Sequence, residues 1–373
     1  MKSLLCALVA AVVASLPAGV AASEINDAFR QVLRNPTDIQ ANLRYARLAE
    51  ATGNPRWALA TYERILAIDP NNQEARQGLQ RVRVAILPNT TIFTAELGGA
   101  WESNARQRQA DLRSEGQGYA TTAMRDERSL AGVRWRTTGA AIGIYHGTEH
   151  ELNYGYAGLN TGPVIDLAPD LTVNPAIGGG AAYFDQRLYY GEGVGSVTFD
   201  GLASGSPQSV RLRVAYRDYN DFFPTQHGVY ADATGRFTFP NAFDDSIVIL
   251  SPWLRWSELK GTATGPATFV EVQPGAYTEV GGRVEVNTLV APGLIVGANV
   301  ALSERYYRSD LATDGLSKRR DTWFAPGTMV LLPKFFAAQT GLRVEYTYLW
   351  NTSNLDERRY VDHLVTAAVV SRF

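Results

Sequence analysis

Four histidines and a single cysteine are the residues here with the most specific chemistry. His146 and His150 stand four apart, a spacing that on a helix would place two imidazoles side by side as metal ligands. They fall instead at the end of a predicted strand and in the loop behind it, so a solvated pair is expected. His363 lies on the last predicted strand with Ser and Thr on every side, and nothing singles out one of them as a nucleophile with an orienting third group. Gly178-Gly179-Gly180 does not join a strand to a helix and so is no phosphate loop. Cys6 lies in a segment expected to be cleaved, which leaves the mature chain without a disulfide or a thiolate site. No catalytic residue, metal or cofactor is expected, and the chain is read as a non-enzyme.

The residues that do recur in a pattern are arginines. Val210, Leu212, Val214 and Tyr216 alternate with Arg211, Arg213 and Arg217. Val284 and Val286 alternate with Arg283, Glu285 and Asn287, while Leu254 and Trp256 flank Arg255, and Val133 and Trp135 flank Arg134. Arg136, Arg305, Arg343 and Glu345 fall in the same polar phase. A period of two describes strands with one apolar and one polar face. In a membrane barrel a charged side chain facing lipid at mid-depth costs about 2–4 kcal/mol. Arg134, Arg136, Arg211, Arg213, Arg217, Arg255, Arg283, Glu285, Arg305, Arg343 and Glu345 are therefore expected to face the lumen. With few acids in view, they form either a salt-bridged filling or a basic-leaning conduit for an anionic or polar chain.

The elements that would position them run from Leu87-Pro88 onward, where composition shifts to Gly, Tyr, Thr and Val. Fourteen strands are predicted, at 91–102, 127–137, 139–147, 153–166, 171–184, 191–202, 209–219, 228–239, 246–258, 276–290, 293–306, 321–332, 335–350 and 360–373. Short connections at Thr138, 166–170, 202–207, 240–245, Ala291-Pro292 and Pro333-Lys334 alternate with longer ones, three of which, at 104–126, 260–276 and 307–320, are long and polar. Such one-sided loop lengths describe a transmembrane barrel. An even strand count puts both ends on the short-turn side. In the last hairpin Leu342, Val344, Tyr346, Tyr348 and Trp350 share one face and Arg343, Glu345 and Thr347 the other. The chain then closes on Phe373, and a final strand ending in Phe resembles the assembly signal of bacterial outer-membrane barrels. Ser371 departs from that signal, where a hydrophobic residue is usual. A soluble sandwich would also alternate, but it requires neither export nor loop asymmetry.

Residues 1–23 have the layout of a cleaved secretory signal: Lys2, an apolar run from Leu4 to Leu16, then Val20-Ala21-Ala22-Ser23. That run is short of a bilayer span and ends at Pro17. Residues 24–87 are helical in texture. Asn35-Pro36-Thr37-Asp38 and Asp69-Pro70-Asn71-Asn72 recur with their prolines 34 apart. Ala46, Ala58, Tyr62 and Pro70 fall where a tetratricopeptide repeat places its small, aromatic and terminating residues, so this stretch resembles such a repeat, with departures at Asn42 and Ala49. Repeats of this kind bind proteins or peptides, which implies a periplasmic protein client.

Basic and acidic residues nearly balance, at 35 and 37, so no nucleic-acid partner is expected. A signal, a short repeat module and a barrel over 88–373 together resemble the surface lipoprotein assembly modifier family, whose barrel has fourteen strands. Trp101-Glu102-Ser103-Asn104 and Asn351-Thr352-Ser353-Asn354 are similar to its first strand and last loop. The helical part here is smaller than that family usually carries. Exopolysaccharide exporters also join repeats to a barrel, usually with many more repeats. The expectation is an all-β transmembrane barrel of about fourteen antiparallel strands, with twelve or sixteen also compatible, behind a small all-α module. It is placed in the Gram-negative outer membrane, with lipids, the barrel assembly machinery and a client as partners. Its expected role is export or surface display of a protein such as a lipoprotein. An exopolysaccharide pore and a structural or adhesive barrel are the alternatives.

Overall fold

The computed structural model describes residues 18–86, 89–110, 112–130, 133–168, 170–185, 187–203, 205–220, 227–243, 245–259 and 275–373. Most of the signal segment, with Cys6, lies outside these residues. The chain divides into two compact units, one reaching Asn89 and including Arg128–Arg134, the other formed by Thr90–Glu127 and Trp135–Phe373.

Four helices make up the first unit: α1 (Ala18–Arg34), α2 (Ile39–Ala51), α3 (Pro55–Ile68) and α4 (Gln73–Ile86). Asp38 opens α2, its carboxylate accepting from the backbone N–H of Gln40 and Ala41 at 2.9 and 3.1 Å. Past α2, Gly53 takes φ +73°, a left-handed position that suits glycine, and Pro55 starts α3. Ala46, Ala58 and Tyr62 are fully buried, together with Ala49 and Ile65, while Pro70 lies just beyond the end of α3. A Cβ on Gly78 of α4 would stand 2.2 Å from the Tyr62 ring, so α3 and α4 meet closely only because that residue is glycine. Asn42, buried where the repeat pattern favours an aromatic, donates to the carbonyls of Pro36 and Asp38 at 3.0 and 2.8 Å and ties down the preceding turn. Burial, then a hydrogen bond to Glu50, holds the Tyr62 hydroxyl well above the ordinary tyrosine range.

The second unit is a closed antiparallel barrel. Its strands are β1 (Thr90–Glu102), β2 (Glu115–Leu130), β3 (Val133–His146), β4 (Tyr154–Pro163), β5 (Ile165–Ala168), β6 (Leu171–Phe184), β7 (Arg187–Ala203), β8 (Ser206–Tyr219), β9 (Gly228–Pro240), β10 (Ser246–Glu258), β11 (Ala276–Ala291), β12 (Leu294–Leu311), β13 (Lys318–Ala337), β14 (Thr340–Ser353) and β15 (Tyr360–Arg372). β4 and β5 both pair with β6 and form one strand broken at Val164, so fourteen strands circle the ring. β1 pairs with β15 from Thr94↔Arg372 to Glu102↔Leu364 and leaves no open edge there. No helix among the described residues is long and apolar enough to cross a membrane.

Three expectations about strand limits are corrected. The second and third strands occupy 115–130 and 133–146, so Thr138 lies inside β3 and the predicted 104–126 loop contracts to 103–114. The β13–β14 hairpin turns between Ala337 and Thr340, not at Pro333-Lys334. Register between β13 and β14 shifts from Leu332↔Leu342 to Ala337↔Thr340, an irregularity that takes in Pro333; proline lacks the N–H a regular ladder needs. β12 and β13 also extend into the predicted 307–320 loop, leaving 312–317 between them.

The outer face is apolar, with Leu97, Ile177, Leu212, Val280, Val284 and Leu302 exposed. Toward the long-loop ends Trp101, Tyr145, Tyr216, Trp256, Tyr306 and Trp350 are exposed, and toward the short-turn ends Phe93, Phe239, Phe335 and Phe336. An apolar band between two aromatic girdles is the exterior of a transmembrane barrel. At its seam the Phe373 N–H donates to the Phe93 carbonyl at 2.8 Å and the Phe93 N–H to the Phe373 carbonyl at 3.0 Å. Deleting Phe373 removes both bonds, a loss of about 1–3 kcal/mol at the closing seam. The expected result is a weaker folded band in unheated electrophoresis; an undiminished band would show that the seam holds without this residue.

Candidate functional site: the barrel lumen

Inward-facing side chains alternate with the apolar outer ones and bring the charges together. Glu192 on β7 and Asp232 on β9 hold the arginines of β8. Arg217 Nε donates to Glu192 Oε2 at 3.0 Å, Arg213 bonds to both Glu192 and Asp232, and Arg211 Nη2 meets Asp232 Oδ1 at 3.2 Å. Tyr156 adds a hydroxyl to Glu192 at 2.8 Å. The Arg217 guanidinium also lies 4.8 Å from the Tyr190 ring centroid and 4.3 Å from that of Tyr230, within cation–π range.

A second group joins β2, β3 and β7. Arg136 Nε contacts Glu127 at 2.7 Å and its Nη1 contacts Asp200 at 2.5 Å, while Arg125 reaches Glu127 at 2.6 Å. A third is centred on Glu279 of β11, which receives Arg255 at 3.1 Å, Arg305 Nε at 2.9 Å and the Trp253 indole N–H at 2.6 Å. A fourth runs along Arg283, Glu345, Arg343 and Glu96. Arg283 meets Glu345 at 3.4 Å, Arg343 meets Glu96 at 2.6 Å, and Tyr119 donates to Glu96 at 2.6 Å. Glu285 lies 3.7 Å from Arg283.

Some of these bridges skip strands. Arg136–Asp200 spans from β3 to β7, past β4 and β6, and Arg283–Glu345 spans from β11 to β14, past β12 and β13. Only side chains converging on one interior can do this. Arg134 is half-buried near the start of β3, in the same alternation phase as Arg136.

The expectation of few acids is corrected: Glu96, Glu127, Glu192, Asp200, Asp232 and Glu279 all stand among the arginines. Taking these charges out of water is costly, and pairing within the wall offsets that cost. In sequence, Glu192 sits between two glycines and Asp232 between two alanines. Alternation phase is their one visible signal, and small neighbours weaken it.

The histidines do not converge. His146 Nδ1 lies 2.8 Å from Glu115, and His150 Nδ1 lies 2.9 Å from the His146 carbonyl. His363 faces Tyr346 at 2.9 Å. Among the described residues no group of three His, Cys, Asp or Glu is arranged to hold a metal ion. Trp101-Glu102-Ser103-Asn104 ends β1, where the Ser103 hydroxyl and the Asn104 N–H both donate to Asp362 at 2.9 Å. Asn354 bridges to Arg320 N–H and to the Lys318 carbonyl at 2.7 and 2.9 Å.

Between the first two groups lies a cavity of about 570 Å³, bordered by arginines, the carboxylates of Glu192 and Asp200, tyrosines, hydroxyls and amides of β2, β3, β4, β6, β7 and β8.

No protein-family pattern and no curated protein matches this sequence. Among solved structures, the outer membrane channel DcaP of Acinetobacter baumannii is similar at 10% identity and TM-score 0.44, over 76% of this chain and 97% of that one. A bacterial polysaccharide outer membrane secretin is similar at 9% and 0.42, over 77% and 99%. OccD3 of Pseudomonas aeruginosa is similar at 9% and 0.36, over 76% and 91%. These are likenesses in fold alone.

Proposed function

We propose that this chain is a channel of the Gram-negative outer membrane whose barrel serves export of a polar client. The helical unit stands in the periplasm. The observation that carries this reading is the contrast between a girdled apolar exterior and an interior of bridged charges around an open cavity. Lipid covers the first and water fills the second. Phe373 presents the seam to the barrel assembly machinery, and no enzymatic step belongs to this role.

In its finer form the client is a protein such as a lipoprotein, held by the helical unit and passed on for surface display. Supporting this, Phe29, Leu33, Trp57 and Ile68 are exposed on the helices in addition to the apolar residues of their own core. A second reading, export of a polysaccharide, is supported by the lumen. Its cavity suits an extended polar chain better than a folded protein, and its lining offers guanidinium, phenol and amide groups.

Two measurements test the proposal. Purified protein in a planar bilayer is expected to give unitary currents. A deletion strain is expected to lose either surface-exposed lipoproteins or surface polysaccharide. Absence of current together with an unchanged surface would overturn the reading in favour of a purely structural barrel.

A further inference from the structure

The charges of the cavity in the β2–β8 wall differ in exposure. Its arginines Arg125 and Arg211 keep 46% and 49% of their side-chain surface open, whereas the acids they contact, Glu127 and Asp232, keep 16% and 6%. Glu192, which pairs with Arg213 and Arg217, is fully enclosed. Asp200 also lines the cavity at 25% exposure, beside Arg136 and 4.0 Å from Arg125, so the most open charged groups of the lining are Arg125 and Arg211, with one partly open carboxylate near them. The acids orient the arginines and lower the cost of holding them in place, yet leave about half of the Arg125 and Arg211 side-chain surface open. A guanidinium presents a planar fork of donors that matches a carboxylate.

The remaining lining is suited to a polyol. Asn160, Ser196, Thr198 and Ser209 offer amide and hydroxyl groups, and Tyr156 and Tyr190 border the same space. Its volume of about 570 Å³ is that of a small-ligand pocket.

We propose that this cavity is a binding subsite for a carboxylated sugar, a hexuronic acid unit held at its carboxylate by Arg125 and Arg211 and at its hydroxyls by the amide and hydroxyl lining. This rests on the channel reading and names the substrate class for it. Two sources share the chemistry, a free sugar acid and a unit of a polyuronate chain.

The test compares galacturonate, trigalacturonate and galactose as blockers of single-channel current through the full-length protein. Galacturonate is expected to block at about tenfold lower concentration than galactose, the difference one charge-assisted contact supplies. A further gain with trigalacturonate identifies a chain as the source; equal block by monomer and trimer identifies the free acid. The R125Q/R211Q double variant, checked for a normal folded band, is expected to block alike with galacturonate and galactose. R125Q and R211Q singly, each expected to reduce the preference, serve if the double variant does not fold. Equal block of the unaltered protein by galacturonate and galactose would overturn the proposal, as would a preference that survives the variants. If the unaltered protein passes no current, the channel reading fails on its own. Saturation-transfer NMR of the same three sugars on detergent-solubilised protein then decides the subsite: transfer to galacturonate and not galactose supports it, and equal or no transfer overturns it.

Discussion

Replacing Gly178 with valine is expected to stop the barrel from closing. Gly178 of β6 pairs with Asn160 of β4. A Cβ there would stand 1.9 Å from the Leu159 carbonyl oxygen and 2.7 Å from the Asn160 Cα. Both are backbone atoms, so no rotamer change can relieve the clash and the strands must part. Gly162 of β4 meets the same limit from the other side, with its Cβ position 1.9 Å from the Pro175 carbonyl. Crowding of a packed core costs about 1–3 kcal/mol where side chains can shift, and a backbone obstacle raises that figure. β4 and β6 complete the ring, so the loss falls on closure itself. G178V should lack the compact folded band in unheated electrophoresis, and G162V should behave likewise. G193A, with nothing within 4 Å of its added carbon, should keep it. A normal band for G178V would mean that β4 and β6 do not approach this closely.

These glycines also explain where the sequence was hard to read. Strands such as β8 and β14 are plain because bulky apolar residues alternate with arginine and glutamate. β2 is not, because its outward residues include Gly116, Gly118, Ala120 and Thr122, and small side chains give little periodic signal. Its short-turn end, Arg125-Asp126-Glu127-Arg128, looks like a loop in one dimension. In the structure Arg125 and Arg136 share Glu127, and Asp126 accepts from Thr91 at 2.5 Å. The Pro333 error has a similar origin: proline reads as a turn, and only the register of the neighbouring strand shows that an irregularity can absorb it.

In the lumen, a period of two gave the arginines a common phase but could not assign their partners. Bridges such as Arg136–Asp200 and Arg343–Glu96 join residues 64 and 247 positions apart. Such pairings depend on closure, which is a property of the whole sheet. The alternation therefore pointed to a polar interior while its charge balance stayed hidden, and that balance separates a general basic conduit from a wall with a few accessible guanidinium groups.

Replacing Glu279 with leucine is expected to destabilise the barrel far more than loss of an open lumen acid such as Glu345. Its side chain is 2% exposed and takes Arg255, Arg305 and the Trp253 indole at once. Arginine does not shed its proton in proteins, so removal takes from both guanidinium groups the carboxylate they share. Breaking a buried pair in this way costs about 3–5 kcal/mol. Glu345 makes the comparison: it is 20% exposed, and its arginines stand at 3.4 and 3.9 Å. E345L should therefore cost about 0–1 kcal/mol, in the range of open pairs. Urea unfolding of the protein refolded into vesicles reads both. The charge argument separates from simple loss of packing in the triple variant R255L/E279L/R305L, which removes both arginines with the acid. Recovery of much of the stability in that variant would show that loss of the shared carboxylate's charge was the cause, because a buried ionic cluster exchanged for apolar side chains is often neutral. If the triple variant is no more stable than E279L, the Glu279 carboxylate acts through its bond to Trp253 and the packing of that indole.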